Sequence, residues 1–179
     1  MTTALKDCFS NAERNENHKR KHKGLLVKSQ DPQKAEAYLK KAKENLELCK
    51  LYKERGFDYK LPEEWFHTMY YCALAILARF GVDSRSQRCT ALFLRYAKDK
   101  GLIDYDDEFI HRITVHKDKG RMSDVDEREN ARYGPYVKSK GIIEKHELMI
   151  GLCRECIFQC RKIVFSNVEL CIPKDMSLR

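Results

Sequence analysis

Arg128, Arg132 and Tyr133 sit in the stretch RENARYGP, which brings two guanidinium groups and a phenol to one helix end. The two arginines are four apart, so successive turns stack them on one face, with Tyr133 adjacent. Paired guanidinium forks hold phosphate oxygens bidentately, and a neighbouring phenol can stack or donate a hydrogen bond. The same spacing suits a salt-bridged surface, because Asp124 stands four residues before Arg128. A second cationic group, Lys19, Arg20, Lys21 and Lys23, could touch nucleic-acid phosphates or simply form a solvated tail.

Other chemistry-bearing residues point away from catalysis and metals. CRECIFQC places Cys153, Cys156 and Cys160 at CxxC-x3-C, a spacing that could hold zinc or an iron–sulfur cluster. It is also one stripe of a helix flanked by Leu152, Ile163 and Val164, and free cysteine packs as a small hydrophobe. Core packing is therefore the expectation, with no metal and no cofactor. The six histidines form no HExxH pair and no zinc pattern. His67, inside an apolar run, is expected in a core or interface, while His111 and His116 are five apart and poorly placed to share an ion. No residue is assigned a catalytic role.

These groups must be carried by helices. Of 179 residues, 42% are hydrophobic, enough for one core, and 35% are charged; only eight glycines and four prolines punctuate the chain. Asp31-Pro32 caps a helix whose apolar residues recur every three to four positions up to Gly56. A second, apolar almost all round, runs from Pro62 to Gly81. A third follows Ser84 or Ser86 and stops at Gly101. A shorter pattern surrounds Phe109 and Ile110, another spans Ser123–Tyr133, and a long helix follows the loop containing Gly141. The prediction is an all-α fold, an up-and-down helical bundle of five to six helices over residues 31–172. Residues 1–30, which hold +4 of the formal net charge of +8, are expected as a basic polar arm, flexible or a loosely attached short helix. Residues 173–179 are a tail. The longest apolar run, Met69–Ala78, falls short of the roughly 20 residues of a membrane span. A cytoplasmic, membrane-free protein with its eight cysteines reduced is expected.

The sequence from AEAYLKKAKENLELCK through WFHTMYYCALAILARFGV and ALFLRYAKDKG to DERENARYG resembles a HEPN domain (higher eukaryotes and prokaryotes nucleotide-binding). It is similar to a prokaryotic branch in which a YYA helix leads to a GV turn, then an ALF helix and an R..A.YG helix end. The resemblance implies a HEPN-like bundle that forms a homodimer. It also implies RNases of toxin–antitoxin or defence systems, or proteins paired with a small nucleotidyltransferase partner. Active members carry an Arg followed about four to six residues later by His, for proton transfer at the attacking hydroxyl. Here Arg128 matches, but Tyr133, Gly134 and Pro135 occupy the His positions, and tyrosine with a pKa near 10 is a poor base. The resemblance therefore implies a non-catalytic module binding a nucleotide, RNA or nucleotidyltransferase through Arg128, Arg132 and Tyr133. The alternatives are an endoribonuclease with a degenerate motif, using His111 or His116, and a purely structural dimeric adaptor. Tyr133 and Tyr136 match the tyrosine that some members carry AMP on.

Overall fold

Thr2 opens the first helix by accepting from the Leu5 amide, and the chain stays helical over Thr3–Asn17 (α1). Leu5, Cys8, Phe9 and Ala12 recur at helical spacing and are all buried. The computed structural model describes residues 2–114, 128, 139–168 and 170–172. Of the two alternatives expected for residues 1–30, a flexible arm or a loosely attached short helix, residues 3–17 take the helical one and dock it by a buried face. Four apolar positions suffice to dock a helix whose other faces are charged. Lys19, at φ 54°, closes α1 in the left-handed conformation.

A three-residue strand, Leu25–Val27 (β1), follows and pairs antiparallel with Val82–Ser84 (β2), Leu26 opposite Asp83. Neither strand was anticipated, since three residues carry no readable alternation. Between them run Pro32–Glu54 (α2), a single 3-10 turn at Asp58–Lys60, and Leu61–Arg79 (α3). Asp31 caps α2 by accepting from the Lys34 amide at 2.8 Å. Gly56, Gly81 and Gly101 take left-handed φ where the sequence places helix stops. Ser86 caps Gln87–Asp99 (α4) through the Cys89 amide. Asp107–Arg112 (α5) is capped by Asp106 and is only six residues long. Ser139–Val164 (α6) starts before Gly141, which lies inside the helix and not in the expected loop. Ile142 extends the buried stripe of α6 to that end, offsetting the roughly 1 kcal/mol cost of a helical glycine.

The described residues therefore form an all-α protein of six α-helices with one two-stranded ribbon. The core surrounds α3, whose Trp65, Met69, Cys72, Ile76 and Leu77 are essentially inaccessible, and α2 and α6 pack against it. None of the helices in the described residues is long and apolar enough to cross a membrane.

One cysteine expectation is overturned. Cys8 of α1 and Cys89 of α4 form a disulfide, with Cα atoms 5.8 Å apart. Their separation of 81 residues hid the pair, because only folding α1 onto α4 brings them together. Cys153, Cys156 and Cys160 pack as expected of a helical stripe, each fully buried. Cys156 lies 3.0 Å from the Tyr105 hydroxyl, and Cys160 donates to the Cys72 carbonyl. Burial raises the Cys72 thiol and the Tyr105 phenol well above their ordinary ranges, so both stay protonated. Among the described residues no group of three or more His, Cys, Asp or Glu is placed to hold a metal ion.

Candidate functional site: an aromatic and cationic ridge on α2 and α3

Phe66, His67, Tyr70 and Tyr71 fall within one turn and a half of α3, so 3.6-residue periodicity turns all four to neighbouring faces. On α2, Lys34, Tyr38 and Lys41 are spaced by four and three and share a single face. Packing α2 against α3 joins the two sets. Tyr38 stacks on Tyr71, with centroids 6.1 Å apart and planes 20° apart. Tyr71 meets His67 at 6.0 Å, His67 meets Phe66 edge-on at 5.7 Å, and Phe66 stacks on Tyr70 at 5.6 Å. Phe66 is buried, while Tyr38, His67, Tyr70 and Tyr71 are half-buried at the edge of the core.

Three cations lie over this ladder. Lys34 Nζ is 6.0 Å from the Tyr38 centroid, Lys41 Nζ is 5.6 Å from that of Tyr71, and the Arg128 guanidinium carbon is 4.4 Å from that of Phe66. Distances under about 6 Å are attractive because the ring face is electron-rich. Arg128 is helical and half-buried. Burial pushes the Tyr70 phenol above its usual range against the opposing influence of Thr90 and Arg128, so Tyr70 keeps its proton and can donate.

The other end of the ridge is held by charge. Lys34 Nζ lies 2.6 Å from Asp83 Oδ1, and Asp83 Oδ2 lies 3.0 Å from His22 Nε2. Burial works against ionisation of Asp83, yet hydrogen bonds from Lys34 and His22 prevail and hold its carboxyl below the usual range. For Lys34 too, burial opposes the charge, and Asp83 outweighs it and raises the ammonium. His22 is 5% exposed and sits between Lys21 and Lys23 in the turn from α1 to β1. Lys19, Arg20, Lys21 and Lys23 themselves are exposed. The basic cluster and the ridge, unrelated in sequence, thus meet through the single carboxylate of Asp83.

The arrangement offers flat ring faces for stacking and cations spaced along them for phosphate oxygens. Of the residues singled out by sequence, Arg128 and the basic turn are positioned as described, while Arg132, Tyr133 and Tyr136 lie outside the described residues. His111 is exposed on α5, and His116 lies outside the described residues. Lys34, Tyr38, Lys41, His67, Tyr70 and Tyr71 were not anticipated as site residues. Their signal was present as aromatics with polar tips at i, i+3 and i+4 on α3, matched by lysines flanking Tyr38 on α2. Compared with known proteins, the chain matches no family model and no curated sequence.

Proposed function

We propose that this chain is a non-catalytic, HEPN-type module that binds single-stranded RNA or a nucleotide on the α2–α3 ridge. The observation that carries this reading is the Arg128 guanidinium 4.4 Å over Phe66, at one end of a half-buried ladder of His67, Tyr70, Tyr71 and Tyr38. Bases stack on Tyr71 and Tyr38, phosphates meet Arg128, Lys41 and Lys34, and the basic turn extends the track. Arg132 and Tyr133 belong to the proposed site through the sequence reading and the HEPN resemblance alone. Stacking is worth about 1–3 kcal/mol per base, enough for sequence-tolerant binding. A homodimer and a nucleotidyltransferase partner are part of this proposal through the HEPN resemblance, as is a place in a toxin–antitoxin or defence system.

Fluorescence anisotropy with a short labelled single-stranded RNA and with ATP tests it. Tyr71→Ala should weaken RNA binding about fivefold or more, by loss of one stacked base. Arg128→Ala should weaken it and lower the salt slope by about one. Binding that is absent, or equal in wild type and both variants, removes the site.

One observation favours a second reading, an endoribonuclease. His67 meets the Phe66 ring edge-on and Arg128 lies over it, so an imidazole and a guanidinium both approach one ring although no His stands four to six residues after Arg128. Cleavage of RNA by the purified protein, lost in His67→Ala with the fold intact, would establish it.

A further inference from the structure

A recess of about 290 Å³ opens between α2 and α6. It uses a face of α2 turned well away from Lys34, Tyr38 and Lys41, and it shares no residue with the ridge. Its apolar lining is Leu46 from α2 and Ile150 from α6. His146 also lines it and is unusual. The side chain is 6% exposed, its Nδ1 is buried without a hydrogen-bond partner, and its Nε2 is 4.0 Å from Glu147 Oε1, beyond hydrogen-bond range. The Trp65 indole backs the imidazole at 6.0 Å between centroids. Nδ1 is closed to solvent, so a polar ligand can meet the ring only through Nε2, which has no partner within hydrogen-bond range.

Charge defines what such a ligand must be. Lys53 and Glu147 face each other across the recess at 3.0 Å and neutralise one another. The remaining charged lining is Lys50 and Arg154 against Glu47 and Glu54, two of each sign. A simple anion would satisfy the cations and be repelled by the carboxylates, and a simple cation would do the reverse. A molecule bearing both charges meets both sets. We propose that the recess binds a small zwitterion of the amino-acid class with an aliphatic side chain. Its carboxylate meets Lys50, Arg154 and His146, its ammonium meets Glu47 or Glu54, and its side chain lies on Leu46 and Ile150.

The test follows the His146 ring resonances of the full-length protein by NMR, assigned through their loss in His146→Gln. The probes are L-leucine, 4-methylpentanoate, which lacks the ammonium, and 3-methylbutylamine, which lacks the carboxylate. L-leucine should shift His146 saturably, with each single-charge analogue weaker by about tenfold or more. Lys50→Ala and Arg154→Ala should each weaken L-leucine by a similar factor while leaving the melting temperature and RNA binding unchanged. No saturable shift with L-leucine, or equal affinity for 4-methylpentanoate, overturns the proposal. Either outcome leaves the ridge reading untouched, since that reading is scored by RNA binding alone.

Discussion

His146 shows how one buried side chain sets a pH response. Burial, with the nearby Lys53 charge, pushes its imidazole below the ordinary value of 6.5, against the pull of Glu147. In the unfolded chain the group returns to about 6.5, so between the two values the unfolded state binds the proton more readily. Its contribution to stability is complete above about pH 6.5 and is lost as pH falls through the lower folded value. Urea midpoints should therefore drop between pH 7.5 and pH 5, and His146→Gln should flatten that dependence. Arg128 poses a different question, of shape and not only charge. Lysine there would keep the positive charge but not the planar face lying on Phe66. Arg128→Lys should retain most of the salt dependence of RNA binding while losing affinity, an outcome readable in the same anisotropy titration.

Among the elements, the ribbon has the tightest tolerances. Gly24 has φ 147°, and a Cβ there would overlap the Cys8 carbonyl oxygen of α1. Gly81 has φ 71°, and a Cβ there would meet the Lys28 carbonyl oxygen at 2.5 Å. Both contacts are with backbone, which cannot rotate aside. Gly24→Ala and Gly81→Ala should each cost about 2 kcal/mol or more by chemical denaturation. Ser86→Ala should cost about 1 kcal/mol through the lost cap of α4. These elements also show where sequence reasoning succeeds. The ends of α2, α3 and α4 were legible because Asp31-Pro32, Ser86 and the left-handed glycines act locally. α1 was not, because Leu5, Cys8, Phe9 and Ala12 are too sparse in a charged background to announce a buried face. The ridge was half legible. Arg128 stood out by its spacing, but Tyr38 and Tyr71 looked like core positions until the packing of α2 on α3 left them half-buried at its edge.

At the scale of the molecule, the helices surround α3, but α1 precedes the first predicted helix and relies on few apolar contacts. The Cys8–Cys89 bond fastens α1 to α4 and closes a loop of most of the first half of the chain. By the chain-entropy argument such a loop is worth about 4 kcal/mol. Reduction, or Cys8→Ala with Cys89→Ala, should lower the urea midpoint accordingly. The remaining buried thiols should stay unreactive toward alkylating reagents until the core opens.

The same bond gives the polypeptide an unusual mechanical topology. Tension applied at its two ends passes from Cys8 directly to Cys89, and the segment between them hangs as an unloaded loop across a separation of 81 residues. At about 3.5 Å per residue that loop hides roughly 280 Å of contour length. A single oxidised molecule stretched in an optical trap should stop short of the reduced one by about that distance, with α2, α3 and the ribbon never bearing the load along the backbone.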